Sequence, residues 1–265
     1  MRLYERDYIK KPPTKEEIDE YNSIKKSEIN SNSKLGRINK EHFYPKAIKQ
    51  YKSLFPNNYI ETSYYQNNDS VDETTGKFYD LIHAPNTNER DILRFINHTP
   101  AFYIVAGILN WYHFGHHKAF VFPEFVLGSY RADYLLIGSG SGGYEFIFVE
   151  FELPNGRITL QSGHEGQAIR SGNNQIRDWK HEIESNFESF SAELKKYTHK
   201  DTLPNEFIKY DSSRFHYVVV AGTREDYNET TYRDRRVAIQ QENVKKLHYD
   251  NLYDEACRIN GKHTF

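Results

Sequence analysis

The stretch FVEFELP, residues 148–154, sets Glu150 and Glu152 two apart in an otherwise apolar run and closes it with Leu153-Pro154. So apolar a run reads as a buried strand. Side chains alternate along a strand, so both glutamates point the same way, with Phe146 and Phe148 further along that face. Two like charges that close raise each other's pKa unless a cation or a hydrogen-bond donor neutralises them. The preceding strand-like run, Tyr130–Ile137, carries a third carboxylate, Asp133, followed by apolar Leu135-Leu136-Ile137. The glycine-serine run Gly138–Gly143 joins the two as a hairpin, which brings Asp133 beside Glu150. Hard oxygen ligands from two adjacent strands suit Mg²⁺ or Mn²⁺. The alternative is a solvated sheet face, or neutralisation by arginines such as Arg157 and Arg170, with Asp133 at a strand end. Three carboxylates converging on one hairpin, in runs this apolar, favour a site.

Outward from the hairpin, Ala119–Leu127 is a further strand. Before it, Asn88–Asn97 reads as a short helix, and Thr99-Pro100 as a cap opening an apolar helix through about Tyr112. After it, Glu165–Phe187 carries Ile169, Ile176, Trp179 and Ile183 at helical spacing, despite an awkward Ser-Gly-Asn-Asn at 171–174. Phe215–Ala221 is nearly all apolar, hence a strand buried on both faces. Arg233–Gln241 reads as helix, Val244–His248 as an edge strand and Tyr253–Ile259 as a terminal helix. The order α-β-β-β-α-β-α predicts an α/β fold, a mixed central sheet flanked by helices. Residues 1–86 are polar and read as a loosely packed appendage, a candidate regulatory region, distinct from a domain at 87–265. Within it, Thr14-Lys15-Glu16-Glu17 makes a capping box, Ser27–Asn39 a linker, Pro45–Leu54 a short helix and Asn67–Gly76 a turn or loop.

The 265 residues include 35 Lys+Arg against 37 Asp+Glu, so no global charge advertises a polyanion, and nucleic-acid binding would need a local basic patch. One cysteine, Cys257, excludes an intrachain disulfide and a cysteine-rich zinc cluster, and reads as a core thiol. MRLYERDYIKK holds no apolar leader and no run of 18 apolar residues occurs, so the expectation is a soluble cytoplasmic protein without a membrane. His113, His116 and His117 stand at helical spacing, but Gly115 interrupts them and no cysteine completes a zinc set. GSGSGG at 138–143 lacks the Gly-Lys-Ser/Thr of a phosphate loop. His164-Glu165, after the third strand, either touches the site or caps a helix.

Asp133, followed one strand later by Glu150-Phe151-Glu152, resembles the core of the PD-(D/E)XK nuclease superfamily, whose αβββαβ order matches the one above. More narrowly, the chain from about Asn88 to Phe265 resembles the Shedu family of prokaryotic anti-phage nucleases, also known as the DUF4263 domain. The resemblance rests on INHTPAF at 96–102, PEFVLGSYRADYLL at 123–136, FVEFELP, the Gln175-Ile176-Arg177-Asp178-Trp179 helix, FHYVVVAGTRE at 215–225 and HYDNLYDEA at 248–256. It implies a restriction-endonuclease-like fold, metal-dependent cleavage of double-stranded DNA and a homo-oligomer, dimer or tetramer. Asp133 and Glu150 would be metal ligands, and Glu152 takes the third catalytic position, where the common pattern has lysine. Glutamate there, as in some restriction enzymes, ligates a second metal or takes a proton from water. Lys180, one turn beyond Gln175, is a candidate for the missing cation, Glu124 for an accessory carboxylate ligand, and Gln175 for orienting water or a ligand. DNA contact would come from Arg170, Arg177 and Lys180, with Arg233, Arg235 and Arg236 as further candidates. The rivals are a nuclease-like DNA-binding or sensor protein that does not cut and, further off, a glycosidase. Neighbours on one strand do not face each other across a sugar.

Overall fold

The computed structural model describes residues 3–29, 41–112, 118–160, 162 and 164–265. His113, His116 and His117 lie outside the described residues, as does most of the expected linker. Six described strands form one open sheet in chain order: β1 (Tyr59–Ile60), β2 (Lys118–Leu127), β3 (Tyr130–Gly140), β4 (Gly143–Phe151), β5 (Phe215–Val220) and β6 (Val244–Leu247). Pairing is antiparallel from β1 to β4 and parallel from β4 to β6. The switch follows from the connections. Two tight turns join β2, β3 and β4, whereas long helical crossovers return the chain to β5 and β6.

Alternation along the strands divides the core in two. Val121, Leu136, Ile147, Val149, Val218 and Val220 face α3 (Asp69–His83), α4 (Glu89–His98), α5 (Phe102–Ala106) and α9 (Tyr249–Cys257). Phe120, Phe122, Leu135, Phe146, Phe148, Tyr217 and Val219 face α6 (Gln167–Ser185) and α7 (Phe187–Lys195). The architecture is α/β with a mixed sheet between helical layers. The second core is built of aromatic rings: Phe148 lies 5.9 Å from Trp179, and Phe146 5.3 Å from Phe190.

Several expectations are corrected. Asn67–Gly76 is not a loop from end to end, because Asn68 caps α3 by accepting from Ser70 N–H, and Val71, Thr75, Phe78 and Ile82 bury one helical stripe. No break in packing falls at residue 86: β1 pairs with β2, and Leu3, Val71, Phe78 and Ile82 share the core of the first face. Thr99 ends α4 rather than capping the next helix, which is short and passes into a 3₁₀ turn over Gly107–Trp111. The last helix starts earlier than expected, at Tyr249, with His248 and Asn251 as a reciprocal cap. Cys257 is exposed, not a core thiol. The Thr14 capping box does open α1 (Lys15–Ile29), where Glu17 accepts from Thr14 N–H at 2.7 Å and Thr14 from Glu17 N–H at 3.3 Å, and the helix expected within Pro45–Leu54 is α2 (Lys46–Lys52). Among the described residues no single helix is long and apolar enough to cross a membrane.

Candidate active site

The site forms where β3 begins and β4 ends. The β3–β4 ladder runs as far as Tyr134↔Val149, and one step on, Asp133 Oδ2 accepts the Phe151 N–H at 2.7 Å. The carboxylate thus holds the strand where backbone pairing stops. Glu150 is the penultimate residue of β4, and Glu152 follows the strand's last residue. The Glu152 backbone is tied on both sides, its N–H donating to Val220 at 2.9 Å and its carbonyl accepting from the Tyr249 hydroxyl at 2.7 Å. These bonds fix the strand end between β5 and α9.

Glu150 and Glu152 are 5% and 8% exposed, too buried for a solvated sheet face. Burial, followed by the neighbouring charges of Asp133, Glu152 and Glu89, raises the Glu150 pKa, and the amide of Gln175 partly offsets this. Asp133 is likewise raised by burial, against the pull of the Phe151 N–H. Glu152 is pushed up to about 7 by burial, opposed by a hydrogen bond from Ser171. The charged neighbours acting on the three are themselves carboxylates. Arg157 and Arg170, considered above as neutralising partners, are exposed.

One site residue was not singled out in the sequence. Glu89 opens α4 beside the Asn88 cap, and its charge acts on Asp133, Glu150 and Glu152. Asn155 holds this entry turn in place by donating to the Ala84 carbonyl at 2.8 Å. The capping box marks where the helix begins, but only the tertiary fold brings that helix end against the strand end.

The other candidates divide. Gln175, on α6, donates to Glu150 Oε1. Glu124 is exposed, with φ of 50°, and pairs with Arg131 at 3.5 Å; it reaches the site only through its charge on Asp133. Arg170 and Arg177 are exposed on α6, where Arg177 donates to Asn174 at 3.0 Å. Lys180 does not supply the missing cation: its ammonium lies 4.9 Å from the Tyr217 ring centre and donates to the Glu242 carbonyl that ends α8 (Glu229–Glu242). On α8, Arg233 pairs with Asp234 and Arg235 lies over Trp111, while Arg236 is exposed.

Among the described residues no three Asp, Glu, His or Cys side chains stand as a formed metal cage. Asp133 is held by Phe151 N–H, Glu150 by Gln175 and Glu152 by Ser171. The donor chemistry nonetheless fits a hard divalent ion. Glu150 Oε2 is a buried acceptor without a partner, and each carboxylate keeps a proton to higher pH than it would in water. No curated protein matches the chain. Residues 39–253 match the family described as Shedu protein SduA, C-terminal, so the chain belongs to the Shedu family of anti-phage defence proteins.

Proposed function

We propose that this chain is a Mg²⁺- or Mn²⁺-dependent DNA endonuclease of the PD-(D/E)XK type, acting on double-stranded DNA in the cytoplasm as a homo-oligomer. The observation that carries this reading is the unpartnered, buried Glu150 Oε2 amid acids whose charged neighbours, among the described residues, are other carboxylates. The antiparallel β2–β3–β4 meander and the crossover to parallel β5 support a restriction-endonuclease-like core. Asp133 and Glu150 would hold the ion, with Glu152 either the base or a second-metal ligand. When bound, the ion neutralises charge building on the scissile phosphate and acidifies the attacking water.

The chain's own groups supply the rest. Glu152, with its pKa raised to about 7, suits a base that takes a proton near neutral pH, the task a lysine would otherwise assist. Gln175 fixes the Glu150 carboxylate by holding Oε1, which leaves Oε2 for the ligand. Arg170 and Arg177, exposed on the same helix, would meet phosphates without reading bases. A second reading, a DNA-binding sensor without cleavage, draws on the absence of a formed cage among the described residues and on Glu152 in place of lysine.

Incubation with supercoiled and linear DNA in Mg²⁺, Mn²⁺ or EDTA, for the native protein and Glu150→Ala, separates the two. Metal-dependent cleavage by the native protein alone is the expected result. Binding of both DNA forms with no cleavage under any condition would favour the sensor.

A further inference from the structure

Ser171-Gly172-Asn173-Asn174 is a poor helical sequence at the heart of a long helix, and its contacts explain why it is there. At Gly172 a Cβ would lie 2.8 Å from Val219 Cγ1, so α6 crosses β5 more closely than a side chain permits. Val219 is paired with Glu150 on one side and with Lys246 on the other. The helix therefore rests midway between the strand carrying the acids and a strand carrying a cation.

On the acidic flank, Gln175 donates to Glu150. On the opposite flank, Asn173 Nδ2 donates to Glu165 Oε2 at 3.0 Å, and Glu165 Oε1 pairs with Lys246 Nζ. Among the described residues Lys246 is the one buried lysine or arginine, at 5% exposure. A lysine there costs desolvation that an aliphatic side chain would avoid, so the position is not explained by core stability. Glu165 lies in a turn that folds back on itself: it bridges to Thr159, and the next residue, Gly166, donates its N–H to Ile158 at 2.6 Å. One cation thus anchors both this turn and, through Asn173, the helix.

We propose that the Lys246–Glu165–Asn173 network is a positioning device for the carboxylate site. It sets the seat and rotation of α6 on Val219 so that Gln175 meets Glu150. The proposal rests on the nuclease reading above for its effect on catalysis. Lys246 and Glu165 act through the helix, and neither contacts the reacting atoms.

The test compares the native chain with Lys246→Met, Lys246→Arg, Gln175→Ala and the double variant Lys246→Met/Gln175→Ala. Steady-state cleavage of linear DNA in Mg²⁺ is measured alongside amide hydrogen exchange across α6. In Lys246→Met, kcat is expected to fall about tenfold with KM for DNA unchanged, the size of a small misplacement. Lys246→Arg is expected to restore most of it, and the double variant to fall no further than Gln175→Ala alone. Exchange at residues 170–176 is expected to quicken in Lys246→Met while β4 and β5 keep their protection. Losses that multiply in the double variant would overturn the proposal, as would a Lys246→Met protein that melts earlier yet keeps its kcat. Should the native chain cut no DNA, the nuclease reading fails and the exchange data decide: selective loosening of α6 sustains the device, and unchanged or uniform exchange overturns it. Should Lys246→Met not fold, the charge-balanced Lys246→Met/Glu165→Gln replaces it, with the same expected losses.

Discussion

On the proposed nuclease reading, Glu150→Gln is expected to lose DNA cleavage about a thousandfold, because losing a metal ligand would remove ~4 kcal/mol of transition-state stabilisation and each ~1.4 kcal/mol is tenfold. The same change is expected to raise the melting temperature of the metal-free protein at pH 8 and to leave it nearly unchanged at pH 4.5. The sign follows from linkage. In the unfolded chain the carboxyl ionises near its ordinary value of 4.5, whereas the folded chain retains the proton to higher pH. Its stabilising contribution is fully present below 4.5 and is lost as the pH rises above it. Glu152 behaves alike, losing its contribution between 4.5 and about 7. Glutamine keeps the shape of the protonated acid and has no proton to lose. Thermal unfolding at the two pH values checks this, at about 2–4 °C per kcal/mol for a domain of this size. A variant that melts lower than the native chain at pH 8 would show that Glu150 is already neutralised by a partner.

Trp179→Ala is expected to give the largest loss of stability, about 3–5 kcal/mol, or roughly 6–20 °C in melting temperature. The indole is fully buried on α6 and packs against Phe148, two residues from Glu150 on the same strand. Its Nε1 has no hydrogen-bond partner, so Trp179→Phe, which removes that orphan donor, should cost far less, under about 1.5 kcal/mol. Scanning calorimetry of the two variants measures the difference. Equal destabilisation by both would contradict the view that a phenyl ring recovers most of the packing that secures α6.

The sheet's central strands were legible because FVEFELP, Tyr130–Ile137 and FHYVVVA combine strand propensity with boundaries marked by glycine or proline. Asp133, Glu150 and Glu152 followed from them, since a period of two and one hairpin suffice to bring the three together. Gln175 entered through the resemblance, on the Gln175–Trp179 segment, whereas helical spacing gave only the buried stripe of Ile169, Ile176 and Trp179 beside it. Glu89 and Lys246 were not: each meets the site's surroundings only through packing between elements remote in sequence. The Ser-Gly-Asn-Asn of α6 looked like a helix defect because its reasons are tertiary, a close crossing at Gly172 and a partner for Asn173. Asn67–Gly76 misled in the opposite way. Its polar majority suggested a turn, while Val71, with Phe78 and Ile82 beyond the stretch, sufficed to bury α3.

We propose that the acidic end of β4 holds a divalent cation. Calorimetric titration of Mn²⁺ into the native protein and into Glu150→Gln, at pH 8 with DNA absent, tests it most directly. Saturable binding by the native chain that is lost in the variant is the predicted result. Identical binding by both, or none by a native chain that still cuts DNA in EDTA, would contradict it.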